Sequence, residues 1–221
     1  MKKIISIFIL IVLVATGAFS EKMFSIGGGA LLEYSGNNGV KADKPGFMEG
    51  YIGYRNLSIG GYVFFDVTYA ELDISFAYGT LYNVSDCDFK DPNISNDYSG
   101  SMTQFGFSLL GKYPIDVSGF TFYPILGFNY NRVFTAKNDD GGYFYGQESY
   151  RSSYLRQIGL LGGAGFDFPL TGSLYLQSEA MFQFRFPSKF MKDLLDSVFD
   201  GEGNATFGVG PRIKVGLGYR F

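Results

Sequence analysis

Eleven charged side chains occupy alternate positions within otherwise apolar segments: Glu33, Asp66, Glu71, Asp73, Lys112, Asp167, Glu179, Arg185, Arg212, Lys214 and Arg220. Asp66, Glu71 and Asp73 are close enough in sequence to be considered as a general acid and base. Most other catalytic routes are closed. The chain has no His, which removes Ser-His-Asp and Cys-His activation as well as His-ligated metal or haem. Its single Cys, Cys87, removes an intramolecular disulfide framework and any multi-Cys zinc or iron–sulfur site. Asp86, Asp88, Asp91, Asn93 and Asp97 are dense oxygen ligands of the kind Ca²⁺ takes. They lack the Gly and terminal Glu of an EF-hand loop, so a solvated acidic loop is the simpler reading. Cys87 is either a free thiol or an intermolecular link. No metal and no cofactor is expected. A formal charge of −3 leaves no basic footprint for nucleic acid.

The elements that carry these charges declare themselves by alternation. From Thr206 to Phe221 the odd positions are Phe, Val, Pro, Ile, Val, Leu, Tyr and Phe, and the even ones are Thr, Gly, Arg or Lys. A period of two over that length marks a strand between two different solvents. The pattern recurs over 24–34, 57–69, 71–82, 104–113, 120–134, 154–168 and 174–186, giving eight strands. Parity switches near Ala70 with no polar loop between, which requires a tight turn. Residues 46–56 read as the outer extension of strand 2. Short turns are expected at Thr68–Glu71, Pro114–Gly119 and Pro169–Gly172, and long loops at 35–50, 83–101, 135–150 and 187–204.

Lys2 and Lys3, an apolar run from Ile4 to Ala15 and small residues through Ser20 form a secretory signal, with cleavage expected after Ser20. The apolar run is too short to span a bilayer as a helix. Residues 1–20 are thus the signal peptide and 21–221 the mature domain. An exported chain without a membrane helix is either soluble or a membrane-spanning barrel. The polar face decides. It is rich in Gly, Ser and Gln with isolated charges, which suits a crowded interior rather than a watered surface. The expectation is all-β: an eight-stranded antiparallel up-and-down transmembrane barrel, with both termini on the periplasmic side.

Eight strands leave an interior that side chains fill. Charges of both signs must pair there, because a lone buried charge is costly. Strand adjacency sets Asp73 beside Lys112, brings Arg212 and Lys214 within reach of Glu179 or Glu33, and puts Arg220 in one layer with Asp167. A plugged lumen follows. The alternative is a narrow conduit or binding site for small apolar or ionic solutes. The inward apolar residues Leu31, Leu81, Leu110, Ile125 and Leu161 are scattered, which favours packing.

Taken together, strand count, loop plan and the terminal Tyr219-Arg220-Phe221 make the chain resemble the small eight-stranded outer-membrane barrels of the OmpX, OmpW and OmpA-transmembrane kind. The Gly-rich first strand and GYVFFDVTYAELDISF also look like simple barrels of spirochaetes and other Gram-negative-type bacteria. The resemblance implies that Tyr219 and Phe221 are read by the barrel assembly machinery. It also implies an outer-membrane leaflet of the lipopolysaccharide type as the lipid partner. Enzymes of that kind rely on an active-site His, so the resemblance implies no enzyme here.

The loops carry any outward role. Tyr143, Phe144 and Tyr145 offer adhesive contacts, cap the mouth or touch the outer leaflet. Phe190, Met191, Leu194, Leu195 and Val198 recur at helical spacing, a short amphipathic helix capped by Ser188. An extracellular or host ligand would meet these segments. The expected species is a monomer.

Overall fold

The computed structural model describes residues 24–44, 48–89, 99–138, 156–187 and 204–221. Its strands are β1 (Ser25–Lys44), β2 (Met48–Val67), β3 (Ala70–Phe89), β4 (Ser99–Lys112), β5 (Ile115–Val117), β6 (Phe120–Asn138), β7 (Arg156–Pro169), β8 (Leu174–Arg185), β9 (Asn204–Ala205) and β10 (Gly208–Arg220). Eight of these are staves. Each pairs antiparallel with its neighbour in the order β1, β2, β3, β4, β6, β7, β8, β10. The sheet closes where β10 returns to β1, from Ser25↔Arg220 to Gly36↔Val209. Closure removes both edges, which is what a sheet in hydrocarbon requires.

The alternation of sequence becomes an alternation of exposure. Along β8 and β10 nearly every second residue is buried and its neighbours are not. The apolar set points outward: Leu126, Phe128, Ile59, Val63 and Phe182 are all largely exposed, Leu126 at 73%. The polar set points inward, and Glu33, Glu71, Asp73, Arg212 and Lys214 are at most 1% exposed. This inversion of a soluble protein is the signature of a barrel whose outer solvent is lipid.

Local chemistry explains the exceptions. The β2–β3 turn uses only Thr68 and Tyr69, as the parity switch requires, and holds Thr68 at φ +40°. Gly119, at φ +93°, turns the chain from β5 into β6. Pro124 lacks an amide donor, and it lies where the partner strand breaks, between Lys112↔Ile125 and Ile115↔Phe122. Pro211 falls where the β1–β10 ladder skips from Glu33↔Arg212 to Gly36↔Val209.

The strands outrun the sequence reading. Residues 46–56 do extend strand 2, from Met48. But β1 continues to Lys44 and β3 to Phe89, so much of the segments expected as loops at 35–50 and 83–101 is paired strand. Asp86, Cys87 and Asp88 are ladder partners of Tyr51, Gly50 and Glu49 rather than loop residues. A 20-residue stave, at a rise of about 3.3 Å and a tilt near 40°, reaches about 50 Å. That is roughly twice the height of the apolar band of such barrels, so the upper halves stand outside the hydrocarbon. Two further elements lie within expected turns or loops: β5, inside Pro114–Gly119, and β9, which pairs with Val40 and Lys41. The expected signal segment, Asp91, Asn93 and Asp97, the aromatics at 143–145 and the helical segment at 190–198 lie outside the described residues.

Candidate functional site

The lumen is the one place where described charges gather. Inward parity on β1, β2, β3, β4, β7, β8 and β10 delivers Glu33, Asp66, Glu71, Asp73, Lys112, Asp167, Glu179, Arg185, Arg212, Lys214 and Arg220 to the interior. All eleven take part in ion pairs. Six carboxylates thus face five cations, and the interior is close to neutral.

The network has three layers. Lys214 sits at its centre, 2.6 Å from Glu71, 2.8 Å from Asp73 and 2.7 Å from Glu179. Lys112 lies nearer the turns, 2.6 Å from Glu71, 3.0 Å from Asp66 and 3.7 Å from Glu179. Arg220 pairs with Asp167 at 3.1 Å at the turn-side end. Above the centre, Arg212 lies 3.3 Å from Asp73 and 3.7 Å from Glu33, and Arg185 pairs closely with Glu33. Glutamines complete the upper layer: Gln104 donates to Glu33 at 2.8 Å, and Arg185 donates to Gln157 at 2.9 Å.

One expected pair is corrected. Lys112 pairs with Asp66, Glu71 and Glu179, whereas Asp73 pairs with Arg212 and Lys214. The ladder partner of Asp73 is Ser108, and Lys112 lies four residues further toward the turn. Arg212 and Lys214 reach Glu33 and Glu179, and they also cross to β3.

Tyrosines are the members that sequence reasoning missed. Lys112 lies 4.4 Å over the Tyr123 ring, Lys214 4.7 Å over Tyr62 and Arg220 4.7 Å over Tyr175. A ring face attracts a cation that burial has stripped of water. Each hydroxyl then serves the polar set. Tyr123 shares its one proton between Asp167 at 3.1 Å and Glu179 at 3.2 Å, Tyr62 donates to Gln177 at 3.0 Å, and Tyr175 to Ser25 at 2.9 Å. Inward parity was the available signal, since all three sit on the polar face of their strands. The rings also dictate glycines. A Cβ on Gly165 would collide with Tyr123, and one on Gly218 with Tyr175.

Apolar packing fills what the charges leave. Leu110, Ile125, Leu161 and Met181 cluster with Tyr123, while Leu31 and Ala77 pack with Tyr62, Phe64 and Tyr175. Leu31, Leu110, Ile125 and Leu161 are thus inward packing residues. At the turn side a cavity of about 260 Å³ opens beneath the network, bordered by Asp66, Lys112, Tyr123, Asp167 and Arg220. Tyr219 and Phe221 face outward at the same end, with ring centroids 5.1 Å apart.

Together, a closed eight-stave sheet, an apolar exterior and an ion-paired interior define a transmembrane β-barrel of the outer-membrane class. No protein-family model and no curated protein matches the chain. Among solved structures it is similar to the outer membrane protein OprG of Pseudomonas aeruginosa, at 16% identity and a TM-score of 0.49, over 90% of this chain and 96% of that one. A major outer membrane protein from Thermus thermophilus aligns at 16% identity and a TM-score of 0.48, over 91% and 100%. Ail, the attachment invasion locus protein of Yersinia pestis, aligns at 16% identity and a TM-score of 0.42, over 91% and 100%. The barrel is defined by this chain's own ladders and exposure pattern.

Proposed function

We propose that this protein is a non-enzymatic integral outer-membrane barrel whose lumen is plugged by its own side chains. It braces the envelope and holds its loops to the outside, with both termini in the periplasm. The observation that carries the reading is the Lys214 centre. An ammonium within 2.8 Å of three carboxylates from two other staves ties β10 to β3 and β8 across the interior. A solute would have to break several of these buried pairs to pass, each costing about 3–5 kcal/mol. The 143–145 aromatics and the 190–198 segment are the surfaces offered to an extracellular or host ligand, and the barrel acts as a monomer. Tyr219 and Phe221 serve recognition by the assembly machinery, and the apolar exterior faces the leaflets of the outer membrane.

A second reading, a narrow conduit for small solutes, is favoured by the turn-side cavity and by inward polar groups without partners, among them Ser108 Oγ and both side-chain polar atoms of Asn129. Swelling of proteoliposomes in small sugars and amino acids separates the two. The plugged reading expects swelling no faster than in empty liposomes. Solute-size-dependent swelling would overturn it in favour of the conduit.

A further inference from the structure

The ionic network draws on every stave except β6, which carries none of the eleven lumen charges. On that wall, polar side chains are buried without partners. Asn129 is 2% exposed, and neither its Oδ1 nor its Nδ2 meets a hydrogen-bonding group of the protein. The same holds for Asn131 Nδ2 and, on neighbouring β4, for Ser108 Oγ and Gln104 Oε1, all on buried residues. Register puts them together. Ser108 is the ladder partner of Asn129, and Asn131 faces Gly106, midway between Ser108 and Gln104. Opposed inward residues approach to about 5 Å between Cβ atoms, so five orphan atoms share one patch. Two glycines make room for the amides. A Cβ on Gly106 would come within 2.7 Å of Asn131 Oδ1, and one on Gly159 within 3.0 Å of Asn129 Oδ1.

Buried polar atoms left unmet are costly, and five of them would consume a large share of a domain's net stability. Their chemistry selects what meets them. Asn129 and Asn131 offer N–H, Asn129 and Gln104 offer carbonyl oxygens, and Ser108 offers both. An ion of either sign would answer only half of this set. Water both donates and accepts, and answers all of it. The patch lies between two layers of the network. Asp73, the ladder partner of Ser108, is held by Arg212 and Lys214, and Gln104 donates to Glu33 above.

We propose that β4 and β6 hold a cluster of about two or three long-lived water molecules, which bridges Gln104, Ser108, Asn129 and Asn131. The cluster completes the plug on the wall that ion pairs do not reach, and so deepens the plugged reading on which it rests. Its test is nuclear magnetic resonance of the mature protein in nanodiscs, with magnetisation transferred from water to the side-chain amides of Asn129 and Asn131. Bound water is expected to give laboratory-frame and rotating-frame transfers of opposite sign, which direct proton exchange does not produce. Asn129→Leu should remove the transfer at Asn131 as well, because the same waters serve both. Should that variant fail to fold, Ser108→Ala is the milder probe. It should lower the urea midpoint if the site is hydrated, whereas a dry orphaned hydroxyl would raise the midpoint on removal. A folded wild type without transfer from water would overturn the cluster. Transfers of equal sign, from water trading rapidly with bulk, would also overturn it and give these groups to the conduit. Solute-dependent swelling of proteoliposomes with the opposite-sign transfers intact would defeat the plugged reading and leave the water site standing.

Discussion

Replacing Lys214 by methionine keeps most of the length of the side chain and deletes the central charge of the lumen. Three carboxylates then lose an ammonium at 2.6–2.8 Å, and the Tyr62 ring loses the cation 4.7 Å above it. None is wholly abandoned. Glu71 keeps Lys112 at 2.6 Å and Gln177 at 2.9 Å, Asp73 keeps Arg212 at 3.3 Å, and Glu179 keeps Tyr123 at 3.2 Å. The loss is therefore that of one broken buried pair, about 3–5 kcal/mol, rather than three. Lys112→Met should cost less, about 2–3 kcal/mol, because the cavity bordered by Lys112 and Asp66 lets water reach the Asp66 carboxylate. Adding Glu179→Gln to Lys214→Met removes the carboxylate left with the weakest partners, Tyr123 at 3.2 Å and Lys112 at 3.7 Å, and should return about 1–2 kcal/mol as a coupling term. The chain has no Trp, so urea unfolding in lipid vesicles is followed by far-ultraviolet circular dichroism and by gel mobility. A loss below about 1 kcal/mol for Lys214→Met, the range of an exposed ion pair, would refute the claim that this centre is dry and structural.

Further outcomes follow from single positions. Leu126 is 73% exposed near the middle of β6, so Leu126→Arg should destabilise by about 2–4 kcal/mol in vesicles if that surface faces the bilayer midplane; a change within about 0.5 kcal/mol would point to water instead. Thr68 is held at φ +40°, a region that Asn tolerates better than a β-branched residue. Thr68→Asn should therefore raise stability by about 0.5–1 kcal/mol in the same unfolding experiment. Phe221→Ser should lower the yield of folded barrel in cells while leaving refolding from urea unchanged, since Phe221 is largely exposed and contributes little to the interior; an equal loss in both would place its role in stability rather than assembly.

The staves and their facing were legible because each strand separates two solvents, and that contrast prints a period of two. The same physics explains where the reading stopped. Beyond the hydrocarbon both faces of a strand meet polar surroundings, so Gly36, Asn38 and Gly39 and the run from Ser85 to Phe89 look like loops although they are paired. Parity identified which charges enter the lumen but not their partners. Those depend on strand stagger and barrel diameter, neither of which adjacency reveals. Lys112 thus lies four residues away from the ladder partner of Asp73, and Lys214 reaches across to Glu71 and Asp73 on β3. The tyrosines were passed over because an aromatic residue on a polar face reads as filler until a cation is seen above its ring.

Single-channel recording of the refolded mature protein in planar bilayers tests the closed lumen most directly. A plugged barrel predicts no discrete, reproducible conductance for the wild type, because a permeating ion would have to break the pairs of Lys214 and Lys112 with their carboxylates. Stable unitary steps from protein shown to be folded by gel mobility would contradict it and make the conduit the function.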